Sequence, residues 1–203
     1  MSSSSKRHSI LPPVAQAGPK APVRFSSSLV IADSAILTGA HTIQLRTESL
    51  VHPRAKIESL AGAIDIGKRC VVHERTHVGA LPAGGGGAGG GGAGGGGAAI
   101  TIMDYCTVEV GSTIEAGGTV IGEGTIVGVG SRVGSGAVVG KYCTISPRTT
   151  IAPGEIVPDY TVVFSNGLHR RDKRDVVDIR TRAQARQLEV LRKLIPSNPS
   201  KFQ

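Results

Sequence analysis

Residues 121–163 read "IGEGTIVGVGSRVGSGAVVGKYCTISPRTTIAPGEIVPDYTVV". An aliphatic side chain returns every six residues: Ile121, Val127, Val133, Val139, Ile145, Ile151, Val157 and Val163. Four places after each come Thr125, Ser131, Ala137, Cys143, Thr149, Glu155 and Thr161, six of the seven being small. Neither the 3.6-residue period of a helix nor the two-residue period of a plain strand gives this beat. Six residues suit one side of a triangular coil. A short strand carries an inward aliphatic, two residues make the corner, and a small residue turns inward beside it. Three such hexads close a coil of about eighteen residues, and coils stack as parallel strands ~4.8 Å apart.

The same beat runs upstream. Ile102, Val108 and Ile114 are in phase, with one extra residue before Ile121. Leu45, Val51 and Ile57 are in phase, as are Ile66, Val72 and Val78, and Ile31, Leu37 and Ile43 fit with a two-residue slip before Leu45. The register assigns roles to unusual residues. Cys70, Cys106 and Cys143 all take the small inward place, where a free thiol acts as a small apolar side chain. Tyr105, Tyr142 and Tyr160 all take the corner place and are expected to stack as a surface ladder.

One stretch breaks the beat. Residues 82–99 read "PAGGGGAGGGGAGGGGAA" and hold twelve of the chain's 29 glycines. Hexads lie on both sides of it, so it does not separate two domains. A phosphate-binding loop would lead into a helix N-terminus, but the chain continues into the strand-like "AITIMDYC" of residues 99–106. A loop ejected from one continuous solenoid is the remaining reading, and loop closure tolerates such length.

Composition bounds the rest. Hydrophobic residues make up 39% of the 203, but aromatics only 3%, with no Trp, which fits a thin, regular aliphatic core. The net charge of +8 sits in the tails. Residues 1–24 hold four basic side chains and no acid, residues 25–168 nine basic and eleven acidic, and residues 169–203 ten basic and four acidic. Basic tails nearly free of aromatics give bases nothing to stack on, so nucleic acid is not expected as a partner. Three widely spaced cysteines make neither a disulfide framework nor a paired zinc site. No apolar run reaches the ~18 residues of a membrane span. A reduced, cytoplasmic setting is expected.

The organisation expected is a disordered basic tail at 1–24 and a β-helix at 25–165 with a disordered glycine-rich loop at 81–99. A connector and a C-terminal helix at about 181–195 fill residues 166–203. In the helix, Leu188, Leu191 and Ile195 form an apolar stripe widened by Leu194, Thr181 with Gln184 fits a capping box, and Pro196 ends it. This stripe packs either on the chain's own β-helix or on a partner. With Arg170 and Arg171 of the basic connector, Leu188, Leu191, Leu194 and Ile195 are the candidate partner-binding residues.

These hexads resemble the left-handed parallel β-helix proteins, which include acyltransferases and carbonic anhydrases of the gamma class, both homotrimers with sites between subunits. The anhydrases need three His around one zinc. His41, His52, His73 and His77 are the candidates, and "VVHERTHVG" at 71–79 looks like the place of a first ligand. No His follows His77 until His169, so no metal or cofactor site is assigned. An acyltransferase needs a general base, usually His. His52 has no Asp or Glu adjacent in sequence to orient it.

A more specific resemblance rests on feature order: "TESLVHPRAKIES" early, an insertion after "VVHERTHVG", unbroken hexads to "IVPDYTVVFSNGLHRRDKRD", and a helix ending "LEVLRKLIPSNPSKF". Over residues 29–203 this resembles the dynactin subunit 6 family of β-helical pointed-end subunits. That resemblance implies a non-catalytic, cytoskeletal scaffold. Its partners would be the second β-helical subunit (dynactin subunit 5), the pointed-end actin-related protein and the p62 subunit, and it would support dynein-driven movement of membrane cargo on microtubules. The glycine insertion and the N-terminal extension depart from the family's pattern.

Overall fold

A computed structural model describes residues 19–82, 99–175 and 177–202. The disorder expected for residues 1–18 and 83–98 falls outside the described residues. The chain winds into the expected left-handed parallel β-helix with a single C-terminal helix. Three sheets form the faces of a triangular prism.

The first sheet has seven strands, running from Val23–Phe25 through Ile43–Leu45, Ile64–Ile66, Ile100–Ile102, Thr119–Ile121 and Val138–Val139 to Ile156–Val157. The second begins at Val30–Ile31, includes Leu50–Val51, Val71–Val72, Thr107–Val108, Ile126–Val127 and Thr144–Ile145, and reaches Thr161–Val163. The third runs from Ile36–Gly39 through Lys56–Ser59, His77–Ala80, Thr113–Glu115 and Arg132–Val133 to Thr150–Ile151. Every hexad aliphatic points inward. Leu45, Ile66, Ile102, Ile121, Val139 and Val157 line one face, and each is at most 1% exposed. The interior is therefore a stack of aliphatic triangles, which is why the chain manages with so few aromatic rings.

The small inward residues do more than fit. Many of them donate a hydrogen bond to a backbone carbonyl of the next coil at its corner. Ser49 Oγ bonds the Gly67 carbonyl at 2.6 Å, Thr125 Oγ1 that of Gly140 at 2.8 Å, and Ser131 Oγ that of Ser146 at 2.8 Å. The three thiols take the same place, Cys70 Sγ to Met103 O at 3.0 Å and Cys106 Sγ to Gly122 O at 3.1 Å, with Cys143 Sγ to Pro158 O at 3.1 Å. The corners turn through left-handed backbone. At one corner Glu48, Arg69, Tyr105, Tyr142 and Tyr160 all have φ between 52° and 64°. The expected tyrosine ladder forms in part. Tyr142 and Tyr160 stack with ring centroids 5.6 Å apart, whereas Arg69 lies over Tyr105 at 5.9 Å.

Three boundaries need correction. The solenoid starts before residue 25, because Val23–Phe25 pairs with Ile43–Leu45 and Ala21 is already buried. The connector is not wholly irregular, because His169–Arg171 folds back antiparallel on Thr161–Val163. The helix spans Val177–Leu194, four residues earlier than the capping-box reading. Thr181 sits inside it, its hydroxyl donating to the Val177 carbonyl at 2.9 Å, and Gln184 faces the prism instead of the helix end.

The helix lies along the second sheet and runs back toward the first coils. Arg180 reaches Tyr142 and Thr144, Gln184 reaches Arg69 and Tyr105, and Leu188, Leu191 and Ile195 cover Val30, Leu50 and Val71. Beyond it, Ser197 Oγ accepts from the Ile31 amide at 3.0 Å, and Phe202 packs against the core. The chain's own C-terminus thus covers the N-terminal end of its prism.

Candidate active site

The solenoid sets residues about one coil apart side by side, and this assembles histidines that are far apart in sequence. Val51 and Val72 are inward neighbours in the second sheet, so His52 and His73, one place further on, share a column at the same corner. Their rings stack with centroids 4.6 Å apart at 23°. His52 is 8% exposed, and its Nε2 has no hydrogen-bond partner among the described residues. Burial, then the neighbouring His73, push its pKa down to about 4. Burial also lowers that of His73, against the raising influence of Glu109 and Glu74. Both rings are therefore neutral imidazoles near pH 7.

His73 opens onto a groove of about 350 Å³ between this corner and the helix. Val110, Ile126 and Val129 give it an apolar wall, while Glu109, Arg180 and Gln187 supply polar groups. Such a volume is within the range of small-molecule sites. Arg180 is held by Thr144 Oγ1 at 2.9 Å and Asp172 at 3.5 Å. Hydrogen bonds from Arg174 and its charge, with that of Arg180, hold the Asp172 carboxyl down at about 2.

Across the corner, on the third sheet, His77 Nε2 meets Glu58 Oε2 at 2.6 Å, and Lys56 Nζ meets Glu58 Oε1 at 2.7 Å. Burial pushes Glu58 up, but the hydrogen bonds from Lys56 and His77 outweigh it, so its carboxyl sits below its usual range. His41 is exposed, and its backbone pairs with Ser59. Among the described residues no group of three or more His, Cys, Asp or Glu is placed to hold a metal ion. His52, His73 and His77 do not converge on one point.

The expected partner-binding residues divide. Leu188 is 5% exposed and, with Leu191 and Ile195, is spent on covering the chain's own second sheet, which corrects their assignment to a partner. Leu194 is exposed, as are Arg170 and Arg171 on the strand that folds back at the far end. The groove is invisible to sequence reasoning because its lining joins residues 73, 109 and 180. A search for a carboxylate adjacent to each histidine also misses Glu58, which lies 19 residues before His77 and one coil away.

Comparison with known proteins adds to this geometry. A family profile, "Bacterial transferase hexapeptide (six repeats)", matches residues 118–153. No curated protein matches the chain. A hexapeptide transferase family protein from Anaplasma phagocytophilum has a similar solved structure, with 14% identity over 85% of this chain and 96% of that one and a TM-score of 0.66. A Bacillus cereus protein provisionally assigned as an acetyltransferase is similar over 88% of this chain and 97% of that one, at 17% identity and a TM-score of 0.65. At such identities the likeness itself is one of fold. The expectation of a chain without catalysis is corrected to this extent: the repeat profile and the proteins that share this fold over nearly their full length bear transferase descriptions, whereas no relative with a non-catalytic description is among them.

Proposed function

We propose that the chain is a hexapeptide-repeat acyltransferase acting as a homotrimer, with His73 as general base. The observation that carries this reading is the neutral, half-buried His73 ring at the edge of the 350 Å³ groove. A base must reach the proton it takes and be unprotonated at working pH. His73 accepts a proton from the acceptor's N–H or O–H as that atom attacks the carbonyl carbon of an acyl thioester. The tetrahedral adduct collapses, the C–S bond breaks, and the thiolate takes the proton back from the imidazolium. His52, stacked behind, fixes the ring of His73 and keeps water from one of its faces.

The test is release of free thiol from acetyl-coenzyme A in the presence of amine and alcohol acceptors. Wild-type chain is expected to turn over. His73→Ala is expected to lower kcat/KM by about 10²–10⁴-fold, the usual worth of a general base. A folded wild-type chain that releases no thiol with any acceptor overturns the proposal.

A second reading has its own observation. Ile179, Val190 and Leu194 stand 68%, 55% and 69% exposed on the helix, an apolar row that the prism does not cover. With the sequence resemblance, this favours assembly into the dynactin pointed end beside its second β-helical subunit. Purification from native lysate separates the readings. A homotrimer alone opposes the assembly role, and co-purification of the pointed-end actin-related protein and p62 supports it.

A further inference from the structure

The charges around the groove bear on which acceptor it takes, an inference that rests on the acyl-transfer reading. The side chain of Glu109 lines the groove beside His73. Its Oε2 accepts a hydrogen bond from the Val129 amide at 3.0 Å, which fixes the carboxylate, and its Oε1 has no donor among the described residues. Glu74 follows His73 directly in the chain, and both carboxylates act electrostatically on that ring. The cation among the lining residues is Arg180, and it is already engaged. Its guanidinium donates to Thr144 Oγ1 at 2.9 Å and the Tyr142 carbonyl at 3.4 Å, and pairs with Asp172 at 3.5 Å. The imidazoles carry no charge. Asp172 is shared with Arg174, which holds it at 2.9 Å and 3.0 Å, so it offsets Arg180 only in part. The negative charge beside the base is that of Glu109 and Glu74, next to the apolar wall of Val110, Ile126 and Val129.

A neutral alcohol brought here would donate one hydrogen bond to the Glu109 carboxylate but leave its charge uncompensated as water is displaced. An ammonium donates a bond of the same charge-assisted kind and also supplies the opposite charge. We infer that the acyl acceptor is a primary amine on a compact, partly apolar skeleton, held by Glu109 and activated by His73.

In the balanced step, the bound ammonium gives one proton to His73 and becomes a free amine. The amine nitrogen attacks the thioester carbonyl, a C–N bond forms, and the C–S bond breaks. The imidazolium protonates the departing thiolate, and the nitrogen sheds its remaining extra proton to solvent. The products are an amide, a thiol and one released proton.

The experiment compares acceptors that differ only in the amine: glucosamine against glucose, and a short diamine against the matching diol, with acetyl-coenzyme A as donor and thiol release as readout. The expected kcat/KM is at least tenfold higher for each amine. In the folded Glu109→Gln variant the amine KM is expected to rise at least tenfold while the thioester KM moves by less than threefold. Turnover with alcohols preferred overturns the amine inference and leaves acyl transfer standing. Turnover with no acceptor at all removes both. An unchanged amine KM in Glu109→Gln removes Glu109 from the role.

Discussion

His52 is a costly choice of residue for the prism. An imidazole with a buried, unpartnered Nε2 forgoes a hydrogen bond that water would supply in the unfolded chain. Its folded pKa of about 4 lies below the ordinary 6.5. Between those values the unfolded chain binds a proton that the folded chain refuses. Stability is therefore highest above pH 6.5, falls as pH drops through the window, and levels off below about 4. The full shift corresponds to at most about 3–4 kcal/mol at 1.36 kcal/mol per unit, which solvent screening of the ring reduces. Urea unfolding of wild type at pH 7.5 and pH 4.5 should show a loss of that order. His52→Gln should flatten the dependence, and an equal loss in that variant would trace it to other groups. The position of His52 at a corner was legible in its hexad. Its stack on His73 was not, because 21 residues separate them and only the coil length brings them together. In the same way the inward cysteines were legible as small residues, while their carbonyl partners on the next coil were not.

At the scale of elements, the helix is bound to the prism by polar contacts as well as by its leucines, and Gln184 makes the most buried of them. Gln184 is 9% exposed, and its Nε2 donates to the carbonyls of Tyr105 at 3.0 Å and Arg69 at 3.2 Å. These carbonyls belong to successive coils, so the amide ties the helix to two of them at once. Replacing Gln184 with Leu leaves both without that donor and should cost about 1–3 kcal/mol of stability. Leu188→Ala removes a buried side chain from its contact with Val30, Leu50 and Val71 and should cost about 2–5 kcal/mol. Both are read from denaturant midpoints, and a Gln184→Leu variant as stable as wild type would show that the contact contributes nothing. The helix was legible from its apolar spacing, but its start was not. Thr181 and Gln184 match a cap by residue type, and only the sheet beneath shows that Gln184 is needed as a clamp.

For the molecule as a whole, the solenoid is continuous across the glycine-rich stretch. Ile64–Ile66 pairs in register with Ile100–Ile102, which in turn pairs with Thr119–Ile121. The six-residue beat made this legible, since in-phase aliphatics on both sides require one stack. Replacing residues 83–98 with four residues amounts to two halvings of loop length, worth only ~1.2 kcal/mol. The melting temperature should stay within a few degrees, and a collapse of folding would mean the stretch has a structural task. Function was less legible than fold. The beat specifies a prism, whereas the site depends on where the helix lies against it, and no local pattern determines that. The role of His73 as the base of an acyl transfer is central to the function proposed. It is tested most directly by adding free imidazole to the His73→Ala variant while measuring thiol release from acetyl-coenzyme A. The variant is expected to melt like wild type, to be nearly inactive, and to regain rate in proportion to added imidazole. A variant as active as wild type, or one whose lost rate imidazole does not restore, would contradict that role.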